Sequence, residues 1–176
     1  MGVSELLFRM LRYQAWANGE VLEAMKGLDT GRHAEERSLA LRLMNHCLVV
    51  NRIFAAHLAG GDHGFSSANT AGTPELEELR TELAIVDRWY LDYVKTVAPA
   101  LLDQSVPFVF TDGDNGYMTR EEMLTHVVTH GGYHRGEVGR LMIQASTRSG
   151  QDIALPWDTY AVYLHRSEPV RRRQGT

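Results

Sequence analysis

The sequence has 176 residues but only one cysteine, Cys47. One cysteine cannot form a disulfide within the chain, so we expect a protein of the reducing cytoplasm. No apolar run approaches the roughly 18 residues that a membrane-spanning helix needs. The first residues also lack the basic stretch and continuous apolar segment of a secretion signal. We therefore expect a soluble protein with no membrane partner.

Positive charge is also scarce, because 18 Lys and Arg residues face 22 Asp and Glu residues, for a net charge of −4. This balance argues against general attraction to nucleic acid, and we expect no nucleic-acid partner. Arginines at positions 171–173 form a basic cluster that we interpret as a frayed chain end. Hydrophobic residues make up 44% of the chain, enough for a core. We predict a single domain over residues 1–176.

Apolar residues recur at three- and four-residue spacings in four long stretches, which is the pattern of amphipathic helices. The predicted helices cover residues 5–28, 35–58, about 75–98 and about 120–147. Helices of this length favour an antiparallel bundle, and the long connection at 98–119 permits a non-sequential order of the helices.

A short β-hairpin is predicted between the third and fourth helices. Residues 106–110 and 117–118 flank "TDGDNG", and Gly and Asn tolerate the positive φ that tight turns require. Thr119 and Glu122 then match a capping box at the start of the fourth helix. The predicted fold class is all-α, a four-helix bundle with a short β-hairpin between helices 3 and 4.

The stretch "HVVTHGGYHRGEV" on the fourth predicted helix contains three histidines at four-residue spacing. An α-helix advances about 100° and 1.5 Å per residue, so His126, His130 and His134 share a face and span about 12 Å. Two imidazoles one turn apart can share a metal ion, whereas the outer two are too far apart. The helix thus offers two ligands, either His126 with His130 or His130 with His134.

A third ligand must come from another element. His46 lies in the apolar stripe of the second helix, where a bundle builds sites between facing helices. The alternative is that these are core histidines bonded to hydroxyls or carbonyls, since pairs at this spacing occur on many helices. His57 lies about 16 Å along the helix from His46 and cannot reach the same ion. We expect His33, His63 and His165 to be solvated.

Several other kinds of catalytic site are excluded by missing residues. No glutamate follows His126 or His130, as the HExxH motif of zinc proteases requires, and paired Glu-x-x-His motifs of di-iron bundles are absent. No nucleophile elbow, phosphate loop or dinucleotide fingerprint is present. Cys47 points about 100° away from His46, which favours a small buried side chain over a nucleophile. A neutral three-histidine set suits Zn²⁺ or Ni²⁺ with an open position for water, substrate or thiol.

At these residues the chain resembles the DinB family, which comprises damage-inducible, DinB/YfiT-like proteins regarded as metalloenzymes. The resemblance covers nearly the whole chain and rests on "RYQAWANGEVLEAM", "LMNHCLVVNRIF" and "HVVTHGGYHRGEV". It implies a four-helix bundle of DinB/YfiT type in a non-sequential order, and frequently a homodimer. It also implies a divalent metal ion held by His46, His130 and His134, which selects the second of the two pairs. The family usually has Gln where this chain has Glu137.

The resemblance also guides the functional prediction. The wider superfamily contains metal-dependent transferases and isomerases that use low-molecular-weight thiols such as mycothiol or bacillithiol. We therefore predict a metal-binding protein whose three-histidine site activates a thiol or water, as a thiol-dependent transferase, isomerase or hydrolase. The alternative is a non-catalytic, stress-related homodimer in which the ion is structural. Around the site, we interpret His126 as a neighbour and Tyr13, Trp16 and Asn18 as core or cavity residues. For Arg135 we favour a surface salt bridge over the alternative, binding of a carboxylate of a thiol cofactor.

Overall fold

The structure, a computed structural model, describes residues 2–172, so positions 173–176 of the basic C-terminal segment lie outside the described residues. The predicted all-α fold is confirmed. The helices are α1 (Val3–Ala24), α2 (Ala34–Ala59), α3 (Leu76–Thr96), α4 (Arg120–Ser149) and the short α5 (Tyr160–Ser167). Short 3₁₀ turns cover Met25–Gly27, Pro99–Leu101 and Pro169–Arg172.

The four long helices pack in a non-sequential order. Helix α1 packs against α3 and α4, and α2 packs against the same two helices. Although α1 and α2 are consecutive in the sequence, they therefore lie diagonally across the bundle. The chain crosses between diagonal helices through the connections at 25–33 and 97–119, whereas the connection at 60–75 joins the neighbouring helices α2 and α3. As a result, α2 and α4 face each other directly.

The space between the helices is filled by apolar side chains from all four of them. At most 2% of each of five large side chains is exposed: Leu22, Met44, Leu79, Met123 and Met142. Full burial of a side chain of this size contributes about 1.5–3 kcal/mol. Within residues 2–172, no helix is long and apolar enough to span a membrane.

The predicted hairpin lies at the N-terminal end of α4. Strands β1 (Ser105–Val109) and β2 (Asn115–Thr119) pair in antiparallel orientation. The predicted capping box is confirmed, because the Thr119 hydroxyl accepts from the Glu122 amide and the Glu122 carboxylate accepts from the Thr119 amide. Since Thr119 ends β2 and caps α4, the capping box holds the hairpin against the bundle.

Candidate metal centre

Three histidine side chains meet where α2 packs against α4. His46 Nε2 lies 3.1 Å from His130 Nε2, and His134 Nε2 lies 3.1 Å from the same atom. These rings form a group that could hold a metal ion, and within residues 2–172 no other group of three histidine, cysteine or carboxylate side chains converges in this way. Helical spacing left two histidine pairs open, and the structure brings His130 and His134, rather than His126, together with His46.

The rings of His46 and His134 are oriented by hydrogen bonds on the side away from the group. His46 Nδ1 lies 2.7 Å from the carbonyl oxygen of Ala68, and His134 Nδ1 lies 2.6 Å from the carboxylate of Glu137. A carbonyl or a carboxylate can only accept a hydrogen bond, so both Nδ1 atoms carry the proton. In the neutral rings, which are the forms that bind metal, the Nε2 atoms of His46 and His134 present lone pairs towards His130.

The available protons cannot satisfy both short contacts at His130. Its Nε2 carries at most one proton, which it can donate to only one of its two neighbours. One of the 3.1 Å contacts therefore sets two lone pairs against each other. The other nitrogen, Nδ1, is buried and has no hydrogen-bond partner among the described residues. A cation that binds all three Nε2 lone pairs removes this conflict, so the donor set fits a divalent metal ion.

The spacing of the nitrogens also fits a metal ion. Bonds of about 2.1 Å at the tetrahedral angle place neighbouring nitrogens about 3.4 Å apart. The two contacts of 3.1 Å lie close to this value. The group therefore needs only a small adjustment of side chains to hold an ion.

Burial keeps the imidazoles of His46 and His130 uncharged. Burial is the main cause that lowers the pKa of His46. Burial also lowers the pKa of His130 to about 3, together with the neighbouring imidazoles of His134, His46 and His126. A metal ligand must be the neutral imidazole, because the protonated ring has no free lone pair. These two side chains are therefore in the form that binds metal at neutral pH.

His126 lies beside the group but does not belong to it. Its ring stacks on His130 with a centroid distance of 5.2 Å and makes a tilted contact with Phe54 with a centroid distance of 4.6 Å. Burial lowers the pKa of His126. The residue therefore forms part of the wall around the three-histidine group, as the sequence interpretation placed it.

The interpretation of Arg135 as part of a surface salt bridge is wrong. Only 2% of this residue is exposed. Its Nε donates to the Asp158 carboxylate at 2.7 Å, and its Nη1 donates to the Asn18 side-chain oxygen at 3.0 Å. Arg135 thus links α4, immediately after His134, to α1 and to the segment before α5. No local pattern around Arg135 signals this burial, because Asn18 and Asp158 lie far from Arg135 along the chain.

The interpretation of Cys47 as a small buried side chain is confirmed, whereas the expectation that His33 is solvated is wrong. Cys47 is 2% exposed, and burial raises its pKa to about 12, so its thiol is a buried apolar group rather than a nucleophile. His33 was expected to be solvated, but it is fully buried and its Nδ1 accepts a hydrogen bond from the Asp29 amide. His33 lies in the turn before α2, and its buried ring holds that turn together.

Fold and site together define a class of protein, a non-sequential four-helix bundle with three histidines converging between two facing helices. The family model described as "DinB family" matches residues 1–158, and the chain belongs to the DinB family. Protein DinB of Bacillus subtilis (strain 168) is 24% identical over 177 residues, which cover 92% of this chain and 95% of that protein. No solved structure matches the chain significantly. The resemblance drawn from the sequence is confirmed.

Proposed function

We propose that the protein is a metal-dependent enzyme in which His46, His130 and His134 bind a divalent ion, either Zn²⁺ or Ni²⁺. The observation that carries this proposal is the number of donors. Three side chains converge, and no fourth histidine, cysteine or carboxylate joins them within residues 2–172. Structural zinc sites use four protein ligands, whereas catalytic sites use three and leave a position for water or substrate. An open, catalytic centre is therefore favoured over a structural ion.

The chain's own residues supply the orientation that such a centre needs. When bound, a divalent ion lowers the pKa of a thiol or water molecule that it ligates, so that a nucleophile forms near neutral pH. The Ala68 carbonyl and the Glu137 carboxylate hold the Nδ1 protons of His46 and His134. Outer hydrogen bonds of this kind fix the ring orientation and make the ligands more basic.

We propose a low-molecular-weight thiol as the co-substrate and a transferase or isomerase as the reaction class. Support comes from the chain's membership of the DinB family and from the burial of its single cysteine thiol, Cys47, which leaves no accessible protein thiol to act as the nucleophile. The cytoplasm suits this proposal, because such thiols remain reduced there.

An activity assay separates this proposal from a structural role for the ion. The protein loaded with Zn²⁺ or Ni²⁺ is incubated with glutathione, mycothiol or bacillithiol and 1-chloro-2,4-dinitrobenzene, in which the thiol sulfur displaces chloride. Metal-dependent product formation that is lost in His130→Ala supports the enzyme. The structural role would be favoured by two results together: removal of the bound metal lowers the melting temperature, and the metal-loaded protein neither transfers any of the thiols nor hydrolyses the substrate.

We also propose that the protein is a homodimer. Three apolar side chains border a groove between α4 and the segment before α5, and they are 51%, 43% and 66% exposed: Ile143, Leu155 and Trp157. Exposed aromatic and aliphatic side chains that cluster are typical of protein interfaces. Light scattering should give twice the chain mass of 19.8 kDa, and Trp157→Glu should shift the protein towards monomer. A wild-type mass equal to one chain would contradict the dimer.

A further inference from the structure

An apolar cavity of about 270 Å³ lies beside the three-histidine group, between α2, the hairpin and α4. His130 belongs to the group and also forms part of the cavity wall, so the cavity borders the proposed metal centre through this one ring. Most of the remaining wall is aliphatic or aromatic and comes from α2 and the hairpin: Val50, Ile53, Phe54, Phe108, Phe110 and Met118.

The cavity wall carries no formally charged side chain. Among residues 2–172, no Asp, Glu, Lys or Arg lines it, and its polar side chains are those of Thr111, His57, His126 and His130. A charged group packed against these side chains would lose its hydration without gaining an ion-pair partner from them, which is unfavourable. An apolar group is stabilised there by removal of its surface from water. The wall therefore selects an uncharged, apolar group.

The hairpin forms the roof of this cavity. Phe108 pairs with Gly116 on the opposite strand, and its ring lies where a Cβ on residue 116 would overlap it, so only glycine leaves room. The Phe108 ring contacts Phe54 and His57, with centroid distances of 5.8 Å and 5.1 Å. Phe110 is 49% exposed and lies at the rim. Cavities of about 150 Å³ lined by such side chains bind benzene, so this larger cavity has room for a substituted ring.

We propose that this cavity is the substrate pocket of the three-histidine centre and binds the uncharged, apolar part of the electrophile, a group about the size of a substituted benzene ring. The inference rests on the proposed function, because it places the reacting end of that substrate at the His130 side of the cavity. The hairpin then determines specificity, since Phe108 and Phe110 limit the size of the bound group.

Ethylbenzene is a suitable probe, because it is uncharged, apolar and small enough for the cavity. Its binding to the zinc-loaded protein is measured by calorimetry and by ligand-observed NMR. We expect one site per chain, and we expect benzylammonium, which matches ethylbenzene in shape but carries a charge, to bind about tenfold more weakly. Equal affinity for the two compounds would overturn the proposal.

Two substitutions that fill the cavity locate the binding site. Ala68→Phe fills it from the loop and Ile53→Phe from α2, and each should lower ethylbenzene affinity about tenfold. The control Ala98→Phe, at an exposed alanine, should change neither ethylbenzene affinity nor zinc content. The Ala68 carbonyl accepts a hydrogen bond from His46, so Ala68→Phe could also disturb zinc binding. If Ala68→Phe loses zinc, the ethylbenzene affinity of Ile53→Phe alone tests the proposal. Unchanged affinity in Ile53→Phe would overturn the proposal.

Cobalt substitution tests whether the cavity reaches the centre. High-spin Co²⁺ relaxes nearby protons, whereas Zn²⁺ does not. Resonances of ethylbenzene should therefore broaden more with the cobalt-loaded protein than with the zinc-loaded protein. If both metals bind but the ethylbenzene line widths are equal with the cobalt-loaded and zinc-loaded proteins, the cavity is not the substrate pocket of the centre. The proposed metal function would be unaffected by that result. Failure of the wild-type protein to bind either metal would instead overturn the proposed function.

Discussion

The hydrogen bond between His134 and Glu137 offers a sensitive test of how the centre holds its ion. The Nδ1 to Oε2 distance of 2.6 Å is that of a charge-assisted hydrogen bond. Glu137→Gln removes the negative charge and keeps an oxygen that accepts from Nδ1. Because Gln has the size and shape of Glu and the side chain is partly exposed, the bundle should tolerate the change. The variant therefore isolates the effect of the charge on metal affinity.

The expected magnitude follows from the exposure of the pair. Loss of an outer hydrogen-bond partner typically lowers metal affinity about 10- to 100-fold. The Glu137 side chain is 36% exposed, so solvent screens its charge, and the Gln oxygen still accepts. We therefore expect Glu137→Gln to lower the metal affinity by an amount at the lower end of this range, about tenfold, which corresponds to about 1.4 kcal/mol. Glu137→Leu removes the acceptor as well and should approach about 100-fold.

Zinc affinity can be measured by competition with a chromophoric chelator near neutral pH. Glu121→Gln, in the first turn of the same helix, removes one carboxylate far from the three-histidine group and should leave the affinity unchanged. A Glu137→Gln affinity within about twofold of the wild-type value would refute the reasoning.

Two further predictions concern buried polar groups and α4. Burial raises the pKa of Asp87 from 3.8 to about 6, so the acid form stabilises the folded protein below about pH 4 and this contribution is lost as the pH rises through about 6. Urea titrations should therefore show that the free energy of unfolding of the wild type, relative to that of Asp87→Asn, falls by about 2 to 3 kcal/mol between about pH 4 and about pH 7. Parallel pH profiles of the two proteins would contradict the raised pKa. Gly131→Ala would place its Cβ 2.9 Å from Arg135 Nη1, inside the buried network, and should destabilise the protein by about 1–2 kcal/mol. A Cβ added at Gly139 would meet no side chain or other element of residues 2–172 within 4 Å, so Gly139→Ala should stabilise α4 by up to about 1 kcal/mol. Equal effects of the two substitutions in thermal unfolding would count against the packing described.

The helices and the hairpin were predictable because their signals are local. Apolar periodicity located four helices, and the residues of the capping box at Thr119 located the start of α4. The spacing of the histidines restricted the site to two possible pairs, and the family resemblance selected His130 with His134. The packing of α2 against α4 brings that pair together with His46.

The remaining features depend on contacts between distant parts of the chain. Arg135 is buried because Asp158 and Asn18 reach it from the C-terminal segment and from α1. The apolar cavity exists because Phe108 of the hairpin covers the space between α2 and α4. No local pattern specifies such contacts, so neither feature could be derived from the sequence alone.

The metal content of three single variants tests the central claim most directly. Elemental analysis of the natively purified protein should show that His46→Ala and His130→Ala lose most of the bound metal, whereas His126→Ala retains it. His126 is the matched control, because it lies one turn from His130 on the same helix and stacks on its ring. Equal metal loss in all three variants, or full retention in the first two, would contradict the assignment of the ligands.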